Sequence, residues 1–361
     1  YFKKIYWILL AAVFLLISFG LLELYSIALS QNNLDLLNFK KQLLFVSIGI
    51  ILLLAAAFFD YYNFRSFNNY IYLTGIFLLA SVLFLGISVR GTKGWFDIFG
   101  FNIQPVEFVK IILIIFLARY FAAVSVKYKQ LKHLIISGLG TLIFILLVLK
   151  QPDFGSGLIL FLIWLAMIIF AGFNKKIILL ILFSFIFVSS LSWFFIFKDY
   201  QKERIITFID PSAKSLDQGY NVSQAIIAVG SGGLNGRGVG FGSQSQLKFL
   251  PEAQNDFIFA VIAEELGFFG VFLVVVFFII IFYRLLIATR ETNNDFATYL
   301  LLGTVALIFI EMFINIGMNI GIIPVIGISL PFISYGGSGI ISSLILIGIA
   351  ESIIIRSKIK Y

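Results

Sequence analysis

An all-α polytopic membrane protein of about ten transmembrane helices is the fold this sequence predicts, and three observations predict it. Of 361 residues, 61% are hydrophobic and only 12% charged, a balance far from that of a water-soluble domain. Uniform runs of Ile, Leu and Phe recur at lengths that cross roughly 30 Å of hydrocarbon. These runs lack the period-two alternation of a transmembrane barrel, so each must close its backbone hydrogen bonds as a helix.

In chain order the runs cover residues 5–27, 42–59, 70–88, 106–123, 134–149, 158–173, 177–197, 257–285, 297–318 and 334–355, and the chain reads as one integral membrane domain over 1–361. The first run has no cleavage pattern of a removable signal peptide and counts as a span. The fifth and sixth are short enough to tilt little or to begin within a re-entrant loop. Basic residues in short loops orient the bundle. With a cytoplasmic N-terminus, that side collects Lys3, Lys4, Arg65, Lys127, Lys129, Lys132, Lys175, Lys176, Arg284, Arg290, Arg356, Lys358 and Lys360. The short outer loops then hold only Lys40, Lys41, Arg90, Lys93 and Lys150, and an even number of spans puts both termini inside. The net charge of +8 therefore reflects membrane anchoring rather than nucleic-acid binding.

Composition also limits the chemistry. Without cysteine there is neither a disulfide nor a thiol nucleophile, and the single histidine, His133, lies in a lysine-rich loop. Acid–base work falls to carboxylates. One long loop, about 198–256 between the seventh and eighth spans, lies outside by this orientation. Its run "GSGGLNGRGVGFG" reads either as backbone nests for phosphate oxygens or as a flexible turn region. It has neither a Walker lysine nor a G-x-G-x-x-G spacing, so nucleotide binding has no support.

Four polar clusters sit at the outer ends of spans. "QPVEFVK" places Glu107 and Lys110 three apart on one helical face, where they either pair structurally or serve a site. "KQPDFGSG" contributes Lys150 and Asp153, "LPEAQNDF" contributes Glu252 and Asp256, and "NIGMNIGIIPVIGISLPFISYGGSG" breaks the chain between the last two spans. Ionisable groups at this depth are expensive, and four clusters on one side predict a shared outward cavity. Glu264 and Glu265 lie deeper and point about 100° apart, so one is expected to pair structurally with a neighbouring span. Gly267 and Gly270 are read as permitting close helix approach. Nucleotide-linked donors are made inside the cell, so catalysis on the outer face points to a lipid-linked substrate.

The blocks "QPVEFVK", "KQPDFGSG", "ERIITFIDP", "GYNVSQAIIAVGSGG", "LPEAQNDFIFAVIAEELG" and "NIGMNIGIIPVIGISLPFISYGGS" resemble, in order and over nearly the whole chain, the signatures of the SEDS family of shape, elongation, division and sporulation proteins. "LYSIA", "GYNVSQAIIA" and "MNIGIIPVIGI" are more similar to its rod-shape elongation members, the RodA type, than to its division members, the FtsW type. The resemblance implies a ten-helix peptidoglycan glycosyltransferase of the bacterial cytoplasmic membrane. Such an enzyme polymerises lipid II on the outer face with a class B penicillin-binding protein as transpeptidase partner. It maps the family's catalytic acid onto Asp256, and further motif positions onto Glu252, Glu107, Lys110 and Asp153. The chain departs from the family pattern at Gln254, Asn255, Glu311 and Gly339, none of which removes a mapped carboxylate.

For a β-1,4 link between aminosugars, Asp256 is the candidate general base and Lys110, Arg204, Arg237 or Lys248 would balance the diphosphate leaving group. A divalent cation such as Mg or Mn, between diphosphate and an acid such as Glu252, is the other way to do so. A lipid-precursor flippase is the alternative function, and a non-catalytic scaffold for a penicillin-binding protein is a third. A flippase needs charged groups along the full depth of its path, whereas this chain concentrates them at one end.

Overall fold

The computed structural model describes residues 6–29, 36–89, 91–98, 100–124, 129–195, 199–209 and 218–358. It is a helical bundle in which α1 (Trp7–Leu29), α2 (Leu37–Phe58), the short α3 (Tyr61–Ser66) and α4 (Asn68–Leu85) are followed by a small sheet. The sheet has strands β1 (Ile87–Val89), β2 (Thr92–Ile98) and β3 (Phe101–Ile103). Then come α5 (Pro105–Ala123), α6 (Gln130–Leu149), α7 (Phe154–Phe170) and α8 (Lys175–Phe195). The long connection holds α9 (Asp199–Ile209), α10 (Gln218–Ser231) and α11 (Ser243–Gln246), and α12 (Ile258–Glu291), α13 (Asp295–Asn319) and α14 (Gly337–Ser357) close the chain.

Among the described residues, eight helices are long and apolar enough to cross a membrane, and the chain is a multi-pass membrane protein. The other two expected spans coincide with α5, which carries Glu107, Lys110 and Arg119, and with α7, which has 17 residues. Helix starts differ from the hydropathy reading where polar residues extend a helix past the hydrocarbon: α6 begins at Gln130 and α12 runs on to Glu291. Side chains and proline fix several starts. Asp153 caps α7 by accepting from Ser156 N at 3.0 Å, Asn294 caps α13 through Phe296 N at 2.9 Å, and Pro105 opens α5.

Two features lie outside the sequence expectation. The segment between α4 and α5 is an antiparallel sheet in the order β1-β2-β3, with Phe96 opposite Ile103 and Ile98 opposite Phe101. The Asp97 carboxylate accepts from Gly100 N at 2.9 Å across the β2–β3 turn. The long loop, in turn, carries three helices rather than open chain.

The centre of the bundle is α13 and α14, the spans with the largest buried share. α14 runs along α2, and α13 packs on α5, α7 and α12. At the opposite extreme, only Ile181 and Ser192 of α8 are buried, leaving its apolar surface to lipid. The first and last described residues meet at one end of the bundle, where Lys358 Nζ stands 3.6 Å from the centre of the Tyr6 ring. A polar cleft of about 660 Å³ opens at that end beside the Arg356–Asp60 ion pair.

Candidate functional site

The far end is organised by the connection between α13 and α14, residues 320–336, where Pro324, Pro331, Gly321 and Gly327 prevent a continuous helix. With no ladder of its own, this segment takes its hydrogen bonds from four other parts of the chain. Asn315 Nδ2 donates to Ile328 O at 2.7 Å, and Ser334 Oγ donates to Asn255 O at 2.7 Å. Tyr335 N donates to Gln254 O at 2.9 Å, and Gln42 on α2 brackets Ser334 O and Gly336 N, both at 3.2 Å. On the opposite side, Gly155 leaves room for the Ile326 carbonyl, and Arg204 Nη1 donates to it at 3.3 Å.

Asp256 stands at the last turn before α12, half-buried. Its main-chain carbonyl accepts from Asn315 Nδ2 at 3.0 Å and from Asn319 Nδ2 at 2.9 Å. Its carboxylate lies over Gly327, where a β-carbon would come 3.5 Å from Oδ2. Glu252 is exposed, in left-handed conformation (φ 57°), and accepts from Asn255 Nδ2 at 2.7 Å. Across the segment, Asp153 accepts from Ser156 Oγ at 2.7 Å and from Gln104 Nε2 at 3.2 Å. Asp256, Asp153 and Arg204 therefore surround one stretch of backbone at Ile326–Gly327. Among the described residues the buried Nε of Arg204 has no hydrogen-bond partner.

Glu107 and Lys110 occupy the neighbouring compartment. Lys110 is 3% exposed, and its Nζ lies 2.7 Å from both Glu107 Oε1 and Glu311 Oε1, so two acids already balance it. Beside this group is a cavity of about 10 Å³ lined by Glu107, Glu311, Ser329, Ser334, Gly339 and Ser343, the volume of about one water. Glu311 and Gly339, two of the departures from the SEDS pattern, thus border the same cavity.

The glycine-rich run builds something different from either expectation. α12 is broken at Gly267, whose φ of 65° and ψ of −161° only glycine adopts readily. Past the break, Phe268 N and Phe269 N would ordinarily donate to the carbonyls of Glu264 and Glu265. Instead they donate to Gly233 O at 2.9 Å and Leu234 O at 3.3 Å, while the carbonyls of Glu264 and Glu265 accept from Arg237 N and Gly238 N, both at 2.9 Å. The run is a splice in the helix, and Gly267 admits a loop rather than another helix. Glu264 accepts from Gln244 N at 2.8 Å, Ser245 N at 3.2 Å and Ser243 Oγ at 3.2 Å. Glu265 accepts from Gly240 N at 3.0 Å and from Ser26 Oγ on α1 at 2.5 Å. Both deep acids tie the loop to α12, and three N–H groups of the glycine-rich run, those of Arg237, Gly238 and Gly240, are engaged by their main-chain or side-chain oxygens. Arg237 is tied to Ser231 O and Ser243 Oγ beside this splice, and Lys248 is exposed.

Sequence reasoning placed Gln104, Asn315 and Asn319 in the outer polar clusters without giving them a role, and it missed Glu23, which is wholly buried in α1. The asparagines carried a signal: amides four apart inside an apolar helix share one face and need partners. Among the described residues, no three His, Cys, Asp or Glu side chains form a metal-ligand set. A cation at this end would rest mainly on oxygens of the substrate with an acid such as Glu252.

Residues 6–359 match the family model FTSW_RODA_SPOVE, described as cell cycle protein. The chain is 34% identical to peptidoglycan glycosyltransferase MrdB of Escherichia coli K12 over 97% of its length and 95% of that protein's. It is 33% identical to stage V sporulation protein E of Bacillus subtilis over 95% and 94% of the two chains. Among solved structures it superposes with a TM-score of 0.83 on a chain of a peptidoglycan synthase complex, at 23% identity and 99% coverage of both. On the rod shape determining protein RodA of Thermus thermophilus it superposes with a TM-score of 0.73, at 23% identity and 99% and 98% coverage.

Proposed function

The chain belongs to the FtsW/RodA/SpoVE family of cell cycle proteins, and from that premise we propose that it is a peptidoglycan glycosyltransferase serving cell elongation, polymerising lipid II at the outer face of the bacterial cytoplasmic membrane. One observation carries the assignment of the site: a carboxylate, Asp256, and a cation, Arg204, converge on the same backbone at Ile326–Gly327. Both termini are cytoplasmic in this reading, and the Asp256 end opens outward. The alternation of basic residues supports that orientation.

Asp256 takes the proton from the acceptor sugar hydroxyl as its oxygen attacks the anomeric carbon. The bond from that carbon to the diphosphate breaks, and the stereochemistry inverts in one displacement. A diphosphate leaves as an anion and needs charge stabilisation rather than a proton, which the guanidinium of Arg204 supplies. Asn315 and Asn319 hold the Asp256 main chain and so fix where its carboxylate stands. Glu252 and Asp153 edge the same opening, while Lys110, balanced by Glu107 and Glu311, supports the segment from behind. Arg237 and Lys248 lie on the splice side of the loop, so their contribution to diphosphate binding comes after that of Arg204. A class B penicillin-binding protein is the expected partner. The fold shared with a chain of a peptidoglycan synthase complex supports that choice.

The experiment is polymerisation of labelled lipid II by purified protein, alone and with a cognate class B penicillin-binding protein, comparing native chain with Asp256→Asn. Glycan from the native protein, abolished by the substitution in folded protein, is the expected outcome. No glycan from folded native protein with its partner would redirect the reading to flippase or scaffold.

A further inference from the structure

Glu23 is the one carboxyl group in α1, wholly buried, and neither of its oxygens has a hydrogen-bond donor among the described residues. Its neighbour within reach is another acid, Glu265 of α12. Glu265 is as fully supplied as Glu23 is deprived. One of its oxygens accepts from Ser26 Oγ at 2.5 Å and Gly240 N at 3.0 Å, the other from Ser245 Oγ at 3.0 Å and Gln246 Nε2 at 3.1 Å. Ser26 is one helical turn from Glu23, so both project from α1 toward the same place. The other charged groups facing this pocket are Glu264, held by Gln244 N and Ser245 N, and Arg237, which bonds Ser231 O and the Ser243 hydroxyl that itself donates to Glu264.

Two carboxylates are acceptors only, and they cannot satisfy one another in hydrocarbon surroundings without a proton between them. We propose that Glu23 carries a permanent proton and donates it to Glu265, the pair acting as a neutral-to-charged clamp that joins α1, α12 and the glycine-rich splice. Four donors already fill the Glu265 oxygens whereas none among the described residues reaches Glu23, so Glu23 is the member of the pair that carries the proton. Glu23 is then a positioning residue: acting through Glu265, it fixes the first turns of α12, which lead directly from Asp256.

The two members of the pair should answer differently to the same chemical change. Glu23→Gln leaves a donor amide where the O–H was, so the melting temperature, loop resistance to protease and polymerisation rate should stay at native values. Glu265→Gln turns one supported oxygen into an NH₂ that faces donors, so the melting temperature should fall and residues 232–246 become cleavable. Infrared difference spectra of native protein minus Glu23→Gln should contain a protonated carboxylic acid carbonyl band that shifts in D₂O. A native protein without that band, a band surviving Glu23→Gln, equal damage from both substitutions, or a tolerated Glu265→Gln beside a damaging Glu23→Gln would each overturn the assignment. Should Glu23→Gln not accumulate as folded protein, Glu23→Asp carries the spectroscopic test, its band displaced rather than lost. The spectroscopic and melting measurements are independent of catalysis. Only the rate measurement rests on the glycosyltransferase reading.

Discussion

Asn315 joins the two sides of the candidate site: one side-chain amide nitrogen donates to the main-chain carbonyl of Asp256 at 3.0 Å and to that of Ile328 at 2.7 Å. The preceding turn of α12 and the α13–α14 connection are thereby held in register by a single residue of α13. Asn315→Leu should leave the Ile328 carbonyl short of a donor, at about 1–3 kcal/mol in a buried setting, while the Asp256 carbonyl keeps Asn319 Nδ2. A lower melting temperature together with lost polymerisation is expected. Full activity in the leucine variant would mean that the register is set elsewhere.

Lys110 sits between Glu107 and Glu311, so removing the cation and removing one acid are not equivalent. Lys110→Met leaves the buried Glu311 and the half-buried Glu107 without their shared cation and should destabilise the protein by roughly 3–5 kcal/mol. Glu311→Gln keeps the Glu107 pair and an acceptor for Lys110, and should cost far less. The double substitution should recover part of the loss, as thermal melts of the three variants in one detergent will read.

Arg204→Gln tests the leaving-group role. Among the described residues the Arg204 side chain makes one hydrogen bond, to Ile326 O, so the fold should tolerate the change. Removing a charge-assisted contact worth about 2 kcal/mol in the transition state lowers the polymerisation rate by roughly thirty-fold. An unchanged rate would remove Arg204 from the mechanism and direct attention to Arg237 or Lys248.

Gly267→Ala should damage α12 from within. Its backbone conformation costs a non-glycine residue about 1–3 kcal/mol, and the added carbon would meet Gly236 N and Leu234 O of the inserted loop. Loss of protease resistance within 232–246, ahead of global unfolding, is the expected sign. A variant melting as the native protein does would show that the splice adapts.

Because the chain has no cysteine, single replacements report topology cleanly. Lys248 and Lys132 are both exposed, one in the long connection and the other at the start of α6. A maleimide that cannot cross membranes should label Lys248→Cys on intact cells and label Lys132→Cys only after permeabilisation. The reverse pattern would invert the bundle and place Asp256 in the cytoplasm.

How legible this was from sequence depended on how local each cause is. The spans were readable because hydrocarbon thickness acts on each run separately, and the charge step at Gln130 or Glu291 moved only their ends. Asp256 and Asp153 stood out as polar groups beside apolar runs, Arg204 only as one of four cations, and the structure brings Asp256 and Arg204 to one stretch of backbone. The β1–β3 hairpins were hidden because strands of three to seven residues leave too few alternations to register against such apolar surroundings. Nor did anything local announce the splice at Gly267: its four hydrogen bonds connect residues about thirty positions apart, and a glycine inside a span reads first as helix packing. Glu23 escaped for the same reason, since its meaning lies in the partners that Glu265 has and it lacks.

That splice also constrains the order of events during biosynthesis. The stretch 233–238 is translated before α12, so the strand that completes the helix is already made when Phe268 and Phe269 reach the membrane. Until it docks, Phe268 N and Phe269 N can pair only by closing the helix onto the carbonyls of Glu264 and Glu265 across Gly267. Docking of the preceding loop therefore exchanges two hydrogen bonds within the helix for four between helix and loop, and α12 reaches its final shape only with that loop in place.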